Sequence, residues 1–242
     1  MEIVRVKAQI LNKLPIKEYD ALVFLYTDSL GKVIARAKSA FKKDTKWHSL
    51  IETMNLVDTN LYKKSEYFYL TETKVVDSFI DIKKDFNKSI IALTVLNIIY
   101  KSQIELNPNI NLFNLLNHFF NELKVSKNNY LIFFYFIFSF LKIEGIQFPI
   151  DKCIICGKEL INDFYFDLKS NGFVCSSHRT PFGIEIDETL YKKILKITNG
   201  SIDNLILEKV ELENLFKIVE SILYSHFNFK LDNFIFNEFS II

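Results

Sequence analysis

All three cysteines of this 242-residue chain lie in one stretch, CIICGKELINDFYFDLKSNGFVCSSH, which closes on a histidine. The spacing is Cys153-x2-Cys156, then eighteen residues, then Cys175-x2-His178. A pair of donors two residues apart lets one tight turn aim both at a single point, and two such pairs complete a tetrahedron around zinc. Gly157 follows the first pair and Asn171-Gly172 precedes the second, so both halves carry turn chemistry, with DFYFDL between them as a short strand. A lone cysteine is usually a small buried hydrophobe, but three with a histidine at ligand spacing point to metal. A thioredoxin-type pair would follow a strand and open a helix in an α/β fold, and no such context surrounds this one. Four donors leave no open coordination position, so one structural Zn2+ is expected, held by Cys153, Cys156, Cys175 and His178.

The compartment agrees. The amino terminus, MEIVRVKAQI, has no apolar core of signal-peptide length, so no export is expected. The longest apolar run, Tyr130 to Leu141, falls short of the roughly 18 residues a membrane-spanning helix needs and reads as a buried core helix. A reducing cytoplasmic setting follows, in which clustered cysteines serve metal more than disulfide.

Before the metal stretch, the chain changes character once. Residues 1–80 contain five short segments rich in β-branched and aromatic residues: IVRVKAQILNKL, ALVFLYTD, GKVIARAKSA, MNLVDTNLYKK and FYLTETKVVDSF. Asp28-Ser29-Leu30-Gly31 supplies a turn between the second and third. Five strands with little helical period between them predict a small Greek-key barrel, of which the oligonucleotide-binding (OB) fold is the common five-stranded form.

Helical spacing takes over after about residue 83. Ile90, Leu93, Leu96, Asn97 and Tyr100 recur on one face, with Asp85 at the amino end. NLFNLLNHFFNEL and the apolar run follow, the latter opened by Ser126 and ended near Gly145. Two more helices are expected at about 187–198, with Asp187 as N-cap and Gly200 past the end, and at about 211–226. The predicted class is thus α+β and multidomain: an OB-fold nucleic-acid-binding barrel over 1–80, then a helical domain over 81–242 with a zinc-binding insertion at about 150–182.

Net charge is only +1, but it is unevenly spread: residues 1–50 hold ten basic side chains against five acidic ones. Lys32, Arg36 and Lys38 alternate along the third strand and project from one face, with Val33, Ala35 and Ala37 on the other. Lys42, Lys43 and Lys46 follow in a loop, with Phe41 and Trp47 as candidate stacking platforms. Lys32 to Lys46 therefore carries six cations with one acid, Asp44, among them. A cationic groove with nearby aromatics is what sequence-tolerant single-strand binding requires. For either aromatic taken alone, core packing is the better expectation.

The order of these pieces resembles the RecO family of bacterial recombination mediators. The likeness is carried by KEYDALVFLYTDSLGKVIARAKSAFKK, FLKIEGIQFPIDKCIICG, NGFVCSSH and a helical tail, spanning essentially the whole chain. The resemblance implies binding of single- and double-stranded DNA, annealing of complementary strands and help in loading RecA onto coated single strands. It further implies partnership with RecR and single-strand-binding protein, no catalytic centre, no membrane, and a cytoplasmic, nucleoid-associated location. By motif match, Lys32, Arg36, Lys38, Lys42 and Lys43 take the family's basic positions. His178 stands where the four-cysteine form has its last cysteine.

Catalytic motifs are missing from the sequence: there is no G-x-S-x-G, P-loop, dinucleotide fingerprint or H-E-x-x-H. A nucleobase deaminase would carry Glu two residues after a ligand histidine, whereas position 180 is Thr. His118 reads as a core or boundary residue of a helix. The competing class is a zinc-stabilised protein-interaction or transcription-associated module without annealing activity. It draws on the acidic carboxy-terminal part, where Lys209, Lys217 and Lys230 face Asp203, Glu208, Glu211, Glu213, Glu220, Asp232 and Glu238.

Overall fold

Alternation of apolar and polar residues buries every second side chain over residues 31–37 and 56–61, whereas residues 8–11 and 23–27 are buried without a break, and the five strands close on themselves. The computed structural model describes residues 2–146, 149–161 and 164–231. Its amino-terminal strands are β1 (Glu2–Ile16), β2 (Asp20–Thr27), β3 (Gly31–Ala37), β4 (Leu56–Lys64) and β5 (Tyr67–Asp77), with a short helix α1 (Trp47–Leu50) before β4. They form a closed barrel in the order β1-β2-β3-β5-β4, with β3 and β5 parallel and β4 returning to β1. β1 serves two neighbours: its first half pairs with β4 and its second with β2, and the register shifts between Ile10 and Asn12. That irregularity supplies the bend a small barrel needs at its corner.

β3 buries Val33, Ala35 and Ala37 as the alternation predicts. Small alanines on this strand leave room for Leu25 of β2 and Phe68 and Leu70 of β5, with Leu61 of β4 in the same core. Trp47 joins the same core at 7 % exposure as an apolar plug brought in by α1, which is the packing preferred for it over a stacking role. The β2–β3 turn is set by Thr27, whose hydroxyl accepts from the Leu30 amide and donates to the Gly31 carbonyl. Gly31 sits at φ +69°, and a Cβ there would lie 2.3 Å from the carbonyl oxygen of Asn107.

Three helices follow: α2 (Ile80–Lys84), α3 (Phe86–Ser102) and α4 (Ile110–Val125). The Asp85 side chain caps α3 by accepting from the Lys88 amide. The buried face of α3 runs through Ile91, Ala92, Val95, Leu96, Ile98 and Ile99, while Leu93 is exposed and Ile90, Asn97 and Tyr100 are half-buried. The expected face is therefore rotated. α3 is apolar on most sides, so period alone did not choose which stripe met the barrel. His118 lies exposed on α4 rather than in a core.

The strand-to-helix switch falls near residue 80, whereas the chain's compact units comprise residues 1–125 and 126–242. α2 to α4 thus belong with the barrel. Phe24 packs edge-on against Tyr100 at 4.9 Å, and Phe79 lies 4.7 Å from Phe120.

In the second unit, α5 (Asn129–Ile143) buries most of the long apolar run, and Phe216 of α7 (Lys209–Phe227) lies against its Tyr130, Phe133 and Phe134. The N-cap of α5 is Asn128, which accepts from the Leu131 amide. Ser126 acts one step earlier, accepting from the Asn128 amide. α6 (Glu188–Thr198) is capped by Asp187, and Gly200 turns the chain away at φ +77°. Lys193 of α6 and the buried Glu211 of α7 pair at 2.6 Å. Strands β6 (Phe164–Asp167), β7 (Gly172–Val174) and β8 (Gly183–Ile186) form a sheet in the order β7-β6-β8. Gln147 and Phe148 of the FLKIEGIQFPIDKCIICG stretch, Asp163, and Asp232 and Glu238 of the acidic end lie outside the described residues.

Candidate metal centre and nucleic-acid interface

Two turns converge to make the candidate metal centre. In the first, Gly157 adopts φ +71° and donates its amide to the Cys153 carbonyl, while the Cys153 amide donates to Lys158. In the second, β7 ends at Val174 and a 3₁₀ turn, Ser176–His178, returns the His178 amide to the Cys175 carbonyl. The hairpin between β6 and β7 holds these turns together through the Ile154 amide, which donates to Phe173. Gly172 leaves room there for Ile154, whose side chain would lie 2.7 Å from a Cβ at this position.

The donor atoms of Cys153, Cys156, Cys175 and His178 all lie within 4.8 Å of one another. Cys156 Sγ is 3.9 Å from Cys175 Sγ, and His178 Nδ1 is 3.3 Å from Cys175 Sγ and 3.7 Å from Cys153 Sγ. A tetrahedron with metal–sulfur bonds of about 2.3 Å and metal–nitrogen bonds of about 2.0 Å requires S···S near 3.8 Å and S···N near 3.5 Å. Those three separations fit. Cys153 and Cys175 are buried, Cys156 is exposed, and the three cysteines are free thiols. Burial pushes the Cys153 thiol up, but the backbone amides of Cys175, Cys156 and Ile155 outweigh it and bring the group down to about 6. A soft, thiolate-rich, four-donor set of this kind can hold a metal ion without leaving a site for substrate.

The outer surface of the barrel carries the second candidate. Lys38, Lys42, Lys43 and Lys46 are exposed and Arg36 is half-buried. Phe41, at 36 % exposure, stays at the surface beside them, its amide donating to Tyr19. Lys32 departs from the expected set. Its ammonium donates to the Tyr100 carbonyl at 2.9 Å, in the last turn of α3, and lies 5.6 Å from the Tyr100 ring. Burial holds this amine below its ordinary value, with Glu105 opposing the shift. A cation at a helix carboxyl end satisfies the dipole and an otherwise orphaned carbonyl, and that is where Lys32 is engaged.

The remaining cations have aromatic neighbours that alternation in β3 did not disclose. The Arg36 guanidinium lies over Tyr67 at 3.8 Å, Lys38 over Tyr69 at 5.5 Å and Lys42 over Tyr19 at 5.7 Å. Lys46 reaches the edge of the core, 5.2 Å from the Trp47 ring. Lys63, from the β4–β5 hairpin, lies 5.7 Å from Phe68. The available signal was in β5 itself, where Tyr67 and Tyr69 alternate with the inward Phe68 and Leu70. Which rings those cations meet depends on the parallel pairing of β3 with β5, in which Arg36 stands beside Tyr69.

Comparison with known proteins places this geometry in a lineage. The family model described as Recombination protein O N terminal matches residues 1–79, and that described as Recombination protein O C terminal matches residues 83–232. The DNA repair protein RecO of Clostridium novyi (strain NT) is 25% identical over 95% of this chain and 91% of its own length. That of Clostridium perfringens (strain 13 / Type A) is 28% identical over 88% of this chain and 89% of its own. The RecO protein of Mesoplasma florum is 23% identical over 94% of this chain and 86% of its own. Matched over 1–79 and 83–232 by the two halves of one family, with a closed five-stranded barrel, helices and a Cys3His cluster, the chain belongs to the RecO family of DNA repair proteins.

Proposed function

We propose that this chain is a non-enzymatic recombination mediator. It binds single- and double-stranded DNA through the outer face of the 1–80 barrel and anneals complementary strands. It assists the loading of RecA onto strands coated with single-strand-binding protein, working with RecR in the cytoplasm at the nucleoid. In the largely helical part that follows the barrel, a knuckle at about 150–182 is held by one zinc ion, which joins the two turns through Cys153, Cys156, Cys175 and His178.

The observation that carries this reading is the run from Arg36 to Lys46, in which Arg36, Lys38, Lys42, Lys43 and Lys46 stand on the outside of the barrel with one acid, Asp44, among them. Such a set attracts a phosphate backbone without selecting sequence, as a protein acting on arbitrary DNA requires. The full tetrahedral donor set of the knuckle supports a structural rather than a hydrolytic role for the metal. Among the described residues no helix is long and apolar enough to cross a membrane.

An annealing assay with complementary oligonucleotides, paired with single-strand binding across a salt series, tests the proposal. Five neutralised phosphates give a log–log slope of about −3.5 on single strands. Accelerated pairing that disappears in the Arg36→Ala, Lys38→Ala double variant supports it. Absence of DNA binding at low salt defeats it.

A further inference from the structure

The outward positions of three neighbouring strands line up across the barrel. Arg36 on β3 stands beside Tyr69 on β5, and Tyr69 is directly opposite Tyr62 on β4. The Tyr62 and Tyr69 rings are 6.5 Å apart, centroid to centroid, tilted at 44°. Tyr67 lies two residues before Tyr69 on the same face and is 49 % exposed even with the Arg36 guanidinium over it. Phe68 and Leu70, between and after them, point into the barrel.

An ordinary solvated sheet face has little use for a row of tyrosines, because each exposes apolar ring surface to water. Arg36 adds a second cost. Its Nε is buried and meets no hydrogen-bond partner among the described residues, so the stacked geometry is kept despite an unsatisfied donor. Both features make sense if the ring faces are filled by something flat and the guanidinium is completed by an anion. A nucleotide offers both, since its base stacks on an aromatic face and its phosphate accepts from Arg.

We infer that Tyr62, Tyr67 and Tyr69 stack the unpaired bases of single-stranded DNA and set a preference for single strands over duplex, while Arg36 and Lys38 hold the adjacent phosphates. The inference rests on the proposal that this face of the barrel takes DNA, and adds to it the residues that tell one form from the other. A duplex keeps its bases stacked on one another and presents only phosphate and groove edges, so it engages the cations and leaves the rings unused. A single strand engages both. In the free protein Arg36 and Lys38 cover part of the Tyr67 and Tyr69 rings, and a bound strand exchanges these contacts for base on ring and phosphate on cation.

The test compares Tyr67→Leu with Tyr69→Leu, as a pair, against the Tyr67→Phe, Tyr69→Phe pair. Probes are a short oligo(dT) and a mixed-sequence duplex of the same length. The leucine pair is expected to lose about tenfold or more in oligo(dT) affinity with duplex affinity unchanged, and the phenylalanine pair to bind both as the parent does. Equal losses on the two probes, or no loss on oligo(dT), overturn the inference. Arg36→Ala with Lys38→Ala separates the two levels. If that variant loses both probes while the leucine pair loses neither, the basic face stands and base stacking falls. If it too binds normally, the proposed DNA face falls as well. Should the leucine pair fail to fold by circular dichroism, photocrosslinking of the unaltered protein to an iododeoxyuridine oligonucleotide decides: adducts on Tyr62, Tyr67 or Tyr69 support the inference, and adducts confined to other residues overturn it.

Discussion

The guanidinium of Arg36 lies 3.8 Å from the centre of the Tyr67 ring. The two residues are far apart in sequence and meet because β3 and β5 run parallel where Ala35 pairs with Phe68 and Arg36 with Tyr69. Stacking fixes the plane and direction of an otherwise flexible cation in the free protein.

Removing Arg36 and Lys38 together should change how salt affects binding as well as the affinity itself. With two fewer phosphates neutralised, the single-strand slope is expected to flatten from about −3.5 to about −2. Fluorescence anisotropy of a labelled oligonucleotide across a salt series measures it, and an unchanged slope would place the phosphate contacts elsewhere.

Lys32 should behave differently from its neighbours in the same sequence run. Lys32→Met removes the bond to Tyr100, so thermal stability should fall by about 1 kcal/mol, whereas single-strand affinity should stay at the parent level. A melt combined with a binding isotherm separates the two roles, and a binding loss as large as that of Arg36→Ala would return Lys32 to the DNA face.

Chelation, or Cys153→Ser, should loosen the knuckle and leave the barrel intact. A structural zinc site contributes on the order of 10 kcal/mol of metal-binding free energy, coupled to folding of its own segment. Hydrogen exchange should show residues 150–180 losing protection while β1 to β5 keep theirs. Metal analysis of protein purified without added zinc should find one equivalent, and a folded, fully protected knuckle without metal would refute the assignment.

Asp167 ties the β6–β7 hairpin to the loop before β8. Burial alone would push its carboxyl up, yet bonds from the Ser170 amide and hydroxyl and from Thr180 hold it below its ordinary value. A carboxylate whose value is lower folded than unfolded contributes stability above the unfolded value, and that stability is lost as pH falls through the folded one, here below about 4. Asp167→Asn should therefore be less stable at neutral pH by about 2 kcal/mol and lose less on acidification. Urea titrations at several pH values check both statements.

Gly31 should tolerate no side chain. Gly31→Ala meets both a left-handed backbone and the Asn107 carbonyl, and should cost about 2 kcal/mol or more. A near-neutral thermal shift would show that the 107–108 segment moves aside freely.

Local order was legible in the sequence because its causes are local. Period-two burial shaped β3 and β4 and the inward Val33, Ala35 and Ala37, and short side chains at Asp85 and Asp187 capped the helices that follow them. Two ligand pairs at two-residue spacing needed only their own turns, so the cluster of Cys153, Cys156, Cys175 and His178 could be read directly. Tertiary structure alone decided what depends on partners distant in the chain. It closed the barrel through β1–β4 pairing, carried α2 to α4 into the unit of residues 1–125, and turned Leu93 outward on a helix apolar nearly all round. It sent Lys32 to a helix end, and Arg36 and Lys38 onto tyrosines of another strand. A cation's position along a strand determines the side it leaves from, but its neighbours come from strands whose register is set by burial of the whole barrel.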